Sequence, residues 1–493
     1  MTTVPAVLGI DLGTSSVKVA LTDQVGAVVA QAVCDYPVDR RNPGWAETDP
    51  EAWWQAIRTA TAQVLATAPA ASVAGIAGIG LSGQMHGVVL SDAEHRPVRP
   101  AVLWADARAE PQLDLLRALD LSVRARLANP LSPGMAGPVL AWLHVHEPEV
   151  LDAARHALQP KDWIRAWLTG VAAGEPSDAS ATLLFDVLAA DWDDEVVTAL
   201  GIDRRLLPDL LPSALTEAGR LTTAAAEALG LQAGLPVAAG AGDTAAAALG
   251  SGLFEPGTVQ LTIGTGVQIV TVVPAPTAES VAGLHDPVTH LYRSATAHGW
   301  YAMAAGLTGG QSLDWVRRIL GAEWSELYGV ADRGSRPDDP VFLPHLVGER
   351  TPYLDTNMRG AWTGLDARHD RVALLHSALE GVAFAVADCL DALPGIPSGN
   401  RDLRLAGGGT TAPAWRQLLA DVLEARLHAV DVPGASARGA ALIGARAAGL
   451  LDDARLTEVA TPHTTLIAEP GPAAEALRDR RFRYRDTLAR LRA

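Results

Sequence analysis

Lysine is nearly missing from this chain. Only Lys18 and Lys161 occur in 493 residues, and neither completes a Gly-Lys-Ser/Thr loop, so no Walker-type phosphate loop exists. A His-Arg-Asp…Asn loop and an Asp-Phe-Gly turn are also missing, which removes the protein-kinase machinery. Cysteine is equally scarce. Cys34 and Cys389 leave no disulfide framework to build, and a reducing cytoplasmic setting is the expectation. No apolar run of membrane-spanning length escapes polar or charged interruption, and the first residues carry neither a basic n-region nor a cleavage site. A basic stripe is lacking before the Arg-rich C-terminal end, and a net charge of −17 repels phosphate backbones. Neither nucleic acid nor membrane is an expected partner.

Apolar side chains are plentiful, at 48% against 19% charged, which excludes disorder over most of the length. The length exceeds the roughly 250–300 residues at which a single core stops growing, so at least two domains are expected. The pattern is α/β. Val4 to Ile10, Val17 to Thr22 and Ala27 to Ala32 read as a three-stranded meander, and Asp49-Pro50 starts a helix bearing Trp53, Trp54, Ile57 and Val64. Val73 to Leu81 then returns as a strand. About halfway along, Thr258 to Ile263 and Val267 to Val273 form a second hairpin, so the opening motif is replayed. A helix from Asp370 to about Leu393, a strand over Leu403 to Leu405, the turn Gly407-Gly408-Gly409-Thr410, and helices near Trp415 to Leu423 and Ala435 to Ala448 complete the second half. The glycines and Pro256 between Gly250 and Gly257 mark the boundary. The expected division is 1–250, 251–455 and a helical tail over 456–493.

Without a lysine-bearing loop, a nucleoside triphosphate needs backbone amides and hydroxyls to cradle it. The two hairpin tips, Gly13-Thr14-Ser15 and Gly264-Thr265-Gly266, can close on phosphates from opposite sides. Such a clamp resembles that of the actin, hexokinase and glycerol kinase superfamily. Asp11 ends the buried strand before the first tip, where it can cap its own turn or position Mg²⁺, a hard ion that favours carboxylate, water and phosphate oxygens. Asp243 is the sharper candidate. It is a charge inside the apolar run Pro236 to Ala248, flanked by glycines that let a ligand approach. There it can cap the following helix, take a proton from a substrate hydroxyl as general base, or do both.

With these residues in view, the chain resembles the carbohydrate kinases of the FGGY family, and within them the branch acting on the ketopentose D-xylulose. The likeness runs from Gly9-Ile10-Asp11-Leu12-Gly13-Thr14-Ser15 to Ala437-Arg438-Gly439-Ala440-Ala441, roughly nine-tenths of the chain and well beyond a single module. Its most specific part is Gly83-Gln84-Met85-His86-Gly87, where glycerol kinases carry Arg-Glu in place of Met85-His86. Supporting stretches are Pro43 to Pro50, Leu103 to Arg108, Pro160-Lys161-Asp162-Trp163, Leu343 to Leu346, Gly348 to Pro352 and Gly407 to Gly409. The resemblance implies two actin-like domains with a cleft between them and ATP-dependent phosphorylation of the sugar in xylose catabolism. It implies Asp243 as base, Met85, His86 and Asp106 around the sugar, and Gly408 and Gly409 against the nucleotide. ATP and Mg²⁺ are the implied co-substrate and ion, and a homodimer stays open. Ala105 and Thr244 stand where family members usually have Asn and Asn or Gln, and Gly266 often has Ser in its place. D-ribulose, 1-deoxy-D-xylulose or a polyol therefore remains an alternative substrate. His86 also has a plainer use as a core histidine satisfied by backbone.

Two other classes compete. Gly78 to Gly83 and Gly240 to Ala245 match forms of the dinucleotide fingerprint, but the first leads into another β-run where that motif needs a helix. The second sets Asp243 against a diphosphate. A non-catalytic actin-like filament or sugar sensor shares the fold, yet it has no need of Asp11, Asp243 and both tips together.

Overall fold

The computed structural model describes residues 3–396 and 401–492. Two seven-stranded mixed sheets organise them. The first runs Glu217–Arg220, Pro236–Ala238, Ile76–Gly83, Ala6–Leu12, Ser16–Asp23, Val28–Asp35, with Ala241–Gly242 also pairing to Ile76–Gly83. The second runs His290–Arg293, Trp300–Gly306, Val267–Val273, Val259–Ile263, Arg401–Ala406, Ala425–Val430, Thr464–Ala468. Both are built on one kernel. An opening strand turns through a tip into an antiparallel second strand, a third strand adds antiparallel beyond that, and a parallel strand arrives on the other side after a helix. The replayed hairpin is thus a replayed sheet.

The crossover helices begin where the capping chemistry demands. Asp49 accepts a hydrogen bond from the Glu51 N–H ahead of Pro50–Thr67, and Asp370 accepts from Ala373 ahead of Arg371–Asp391. Trp53, Ile57 and Val64 seat the first helix on Leu8, Val19 and Trp163. Leu375, Leu379, Val382 and Val386 seat the second against Leu261 and Ile269. Arg371–Asp391 has the length and hydropathy of a membrane span, but its apolar residues lie inside this core. The closing segment holds more than helix. Thr464–Ala468, rich in β-branched residues and set between Pro462 and Pro470, forms an edge strand of the second sheet before the helix Ala474–Arg492.

One helix of the second half crosses back. Ala435–Ala447 packs on Ala6–Leu12, Ile76–Gly83 and the helix Asp243–Gly250, all belonging to the first half. The approach leaves room for hydrogen alone. A Cβ on Gly80 would lie 1.7 Å from the Ala440 carbonyl, and one on Gly439 would lie 1.9 Å from the Ala246 carbonyl. Backbone against backbone at this distance accounts for the Ala-Arg-Gly-Ala-Ala composition of the stretch.

Candidate active site

The parallel register sets the first group of residues side by side. Asp11 pairs with Ser82 and Ser82 with Ala241 across three neighbouring strands, so Asp11, Ser82 and the residue following Gly242, which is Asp243, share one end of the sheet. Ligands of open α/β sheets bind at this carboxyl end. The Asp11 carboxylate accepts hydroxyl hydrogen bonds from Ser82 at 3.0 Å and Ser436 at 2.8 Å through the same oxygen. Burial pushes its pKa up, against those two hydrogen bonds and the charge of Lys18.

Asp243 is the first residue of the helix Asp243–Gly250, with Gly242 in the cap position, so its carboxylate is not spent on capping. Thr244 donates to it at 3.2 Å, and Gln268 from the second sheet reaches Thr244 at 3.4 Å. Burial, and then the negative charge of Asp11, push the Asp243 carboxyl up to about 6. Raised acids favour the protonated form, so the cost of ionising Asp243 is absent below its unfolded pKa and complete above about pH 6. The fold retains an expensive carboxylate where a base near neutrality works best.

His86 follows Met85, whose side chain packs on Gly242. Its Nδ1 lies 2.6 Å from the Ala181 carbonyl, which only accepts, so Nδ1 carries the hydrogen and Nε2 is left as an acceptor. Burial lowers its pKa to about 4, so the ring is neutral at physiological pH. Its φ of 74° is unusual for a residue with a side chain and turns the ring out of the strand line. Tyr292 lies 6.1 Å from the His86 ring, centroid to centroid, and shares a 2.7 Å hydrogen bond with His290. Met85 is buried against Gly242, where an added Cβ would meet its side chain at 2.8 Å.

The first tip is braced from behind: the Gly13 N–H donates to Ser16, and the Gly13 carbonyl accepts from Gln84 and Tyr36. Thr14 accepts from the Trp104 indole at 2.9 Å. The second tip is locked to the start of the helix Gly310–Ile319, since Gly310 and Gln311 N–H groups donate to Gly264 and Thr265 at 2.8 and 2.9 Å. A Cβ on Gly266 would lie 2.6 Å from the Gly306 carbonyl, which accounts for glycine there. Gly407, at φ +95°, and Gly409 fold against the Ile263 carbonyl just before this tip. Gly264 and Gly408 face open space, with nothing within 4 Å of an added Cβ. The result is a side-chain-free cradle with accessible backbone, the surface a polyphosphate requires.

Asp106 is placed differently. Its oxygens accept from the Ala46 N–H at 2.7 Å and from the Arg108 backbone, Nε and Nη2 at 2.7–2.9 Å, and it is buried. A carboxylate two residues from an arginine that can fold back on it is consumed by that fork. Both Asp106 oxygens are engaged within the protein, by Arg108 and by the Ala46 N–H.

Sequence reasoning passed over several groups that converge here. Lys18 reads as a solvated surface lysine but is half-buried opposite Asp11 in the hairpin register. Ser436 arrives only because its helix crosses to the other sheet. Lys161 is fully buried with its Nζ 2.6 Å from Asp162 and 3.1 Å from both Glu175 and Asp178. Glu175 holds the Ser177 hydroxyl at 2.7 Å, and that hydroxyl accepts from the Gly242 N–H at 3.1 Å, directly before Asp243. Among the described residues no cluster of three or more His, Cys, Asp or Glu side chains forms a metal cage.

The chain is similar to known proteins over most of its length. Residues 6–250 match the N-terminal domain, and residues 259–448 the C-terminal domain, of the FGGY family of carbohydrate kinases. The chain is 36% identical to the xylulose kinase of Escherichia coli K12 over 418 residues, 84% of either chain. It is 32% identical to a glycerol kinase of Gloeobacter violaceus over 460 residues, 91% of this chain and 89% of that one. A solved structure of a xyloylose kinase from Brucella ovis superposes with a TM-score of 0.90 at 35% identity, covering 98% of this chain and 99% of its own. With both domains matched in order over most of its length, this chain belongs to the FGGY family of carbohydrate kinases.

Proposed function

We propose that the chain transfers the γ-phosphoryl group of ATP to D-xylulose, giving D-xylulose 5-phosphate and ADP. The observation that carries this reading is the placement of Asp243, whose carboxyl is pushed up to about 6 by burial, next to Gly242, on which Met85 of the Met85-His86 pair packs. Asp243 takes the proton of the attacking sugar hydroxyl while that oxygen bonds to phosphorus. The bond from phosphorus to the bridging oxygen breaks, and ADP leaves with the electron pair. Phosphoryl transfer through a loose transition state asks mainly for alignment and charge neutralisation, so a carboxylate of this strength suffices. Met85 and His86 on the sugar side favour a ketopentose over glycerol, whose kinases carry Arg-Glu there.

The Gly13-Thr14-Ser15 and Gly264-Thr265-Gly266 tips, with Gly408 and Gly409, hold the nucleotide. Mg²⁺ fits at Asp11: one of its oxygens receives both serine hydroxyls, leaving the other for a metal-bound water or the ion. When bound, the ion neutralises phosphate charge. The thiols Cys34 and Cys389 are both free, in keeping with a reducing cytoplasm.

Two results test the assignment. His86→Ala should raise KM for D-xylulose by about tenfold or more and leave KM for ATP within about twofold, because a missing partner for a sugar hydroxyl is felt only by the sugar. Equal losses for both substrates contradict it. The rate profile supplies the second test: kcat/KM for the sugar should rise about tenfold per unit below about pH 6 and level off above, as Asp243 ionises. A profile flat between about pH 5 and pH 8 contradicts Asp243 as the base.

A further inference from the structure

The cations around the cleft are nearly all engaged. Lys161 is surrounded by three carboxylates, Arg108 is held by Asp106 and Glu47, and Arg293 donates to Ala297 and stacks over Trp300 at 4.9 Å. Lys18 is on the phosphate side, beside Asp11. Arg350 is different. Among the described residues its guanidinium has no hydrogen-bond or ion-pair partner, and it is solvent-accessible within the cleft. Its guanidinium lies over the face of Trp104, 5.7 Å away. Trp104 belongs to the first domain and Arg350 to the second, so this cation–π contact spans the cleft. Trp104 in turn donates to Thr14 of the first phosphate tip. On its other side Arg350 neighbours Tyr292, and its charge is felt at His86 and His290. Arg350 therefore stands between the sugar side and the phosphate side.

The backbone that carries it is rigid and joined to the second tip. Buried Glu349 accepts from the Arg350 N–H at 2.9 Å, the Leu307 N–H at 2.6 Å and the Thr308 hydroxyl at 2.5 Å. His345 donates to the same carboxylate at 3.1 Å and accepts from Tyr484 at 3.0 Å. Leu307 and Thr308 lie between Gly306 and Gly309, the two glycines packed on Gly266. The tip Gly264-Thr265-Gly266 and Arg350 are thus parts of one braced block.

We propose that Arg350 is a further catalytic residue, supplied by the second domain to neutralise the phosphoryl group in flight, with Trp104 holding its guanidinium until ATP and sugar bind. The inference rests on the kinase reading above. The guanidinium stays protonated throughout. It donates paired N–H groups to two phosphoryl oxygens as the bond to the sugar forms and the bond to ADP breaks, while the sugar proton goes to Asp243. A planar fork suits two oxygens better than an ammonium does.

Arg350→Gln, assayed with ATP and D-xylulose, should lose about 10²–10³-fold in kcat, the usual cost of one preorganised donor at developing charge, with both KM values within a few fold. Guanidinium chloride added to Arg350→Ala should restore part of the rate. A kcat within about fivefold of wild type overturns the proposal, and so does a loss confined to KM for D-xylulose, which marks a ground-state sugar contact. If Arg350→Gln fails to fold, Arg350→Lys carries the test, with at least about a tenfold loss in kcat expected from breaking the fork and a wild-type kcat overturning it. Wild-type enzyme run beside the variants keeps the two readings apart, since no turnover of D-xylulose by wild type faults the substrate assignment and leaves Arg350 to be assayed on the sugar that is used.

Discussion

Asp243→Ala is expected to lower kcat with D-xylulose by about 10²–10⁴-fold, the range for removing a positioned acid–base group. The effect on KM for ATP should be far smaller. In the proposed reaction the glycine tips carry the nucleotide, and Asp243 acts on the sugar hydroxyl. The fold itself should tolerate the change, because the side chain is not the helix cap and its ionised form is a burden to the native state at neutral pH. A variant that keeps its secondary structure and nucleotide affinity but loses turnover meets the expectation. One within a few fold of wild type would contradict Asp243 as base.

Lys161→Met should be the most destabilising single change in the first domain, costing about 3–5 kcal/mol, the usual penalty for breaking a buried ion pair from one side. Burial alone would strip the Lys161 proton, but Asp162, Asp178 and Glu175 outweigh it and hold the ammonium firmly charged. Burial already raises Asp178. With the lysine gone, these carboxylates stay buried and face one another, and the nearby Arg165 already bonds Asp162 at 2.7 Å. The native pKa of Asp178 must then rise further, so the deficit should be largest at neutral pH and shrink as pH falls toward the unfolded carboxylate range. Thermal melts at several pH values check this. A melting temperature unchanged at neutral pH would contradict the role. The loss should also reach activity, because Glu175 and Ser177 fix the Gly242 N–H that leads into Asp243.

Much of the architecture was legible in the chain itself. β-branched runs around Gly-Thr turns marked both hairpins, and the Asp49-Pro50 and Asp370 starts fell where the helices begin. Asp243 stood out because a charge in an apolar run must have a reason. Other features depend on tertiary placement. Gly439 and Gly444 announce a close approach by their helix but not its target, so the return of Ala435–Ala447 to the first sheet, and with it the Ser436 bond to Asp11, was not readable. Asp106 came from the resemblance alone, and its bonds to Arg108 are a matter of rotamers that the sequence does not show. Lys18 looked exposed because strand alternation does not reveal what covers a hairpin. Arg350 lies inside a stretch noted for its likeness, and that its guanidinium makes no hydrogen bond or ion pair among the described residues depends on the tertiary placement of its neighbours.

The central claim is that this cleft phosphorylates D-xylulose with ATP, and its most direct test is ATP consumption by the purified protein with D-xylulose, D-ribulose, 1-deoxy-D-xylulose, glycerol and no sugar under matched conditions. D-xylulose should give the highest kcat/KM, with product identified as the 5-phosphate, and glycerol should stay near the sugar-free rate. Turnover with glycerol above that with D-xylulose, or no sugar-dependent ATP consumption at all, would contradict it.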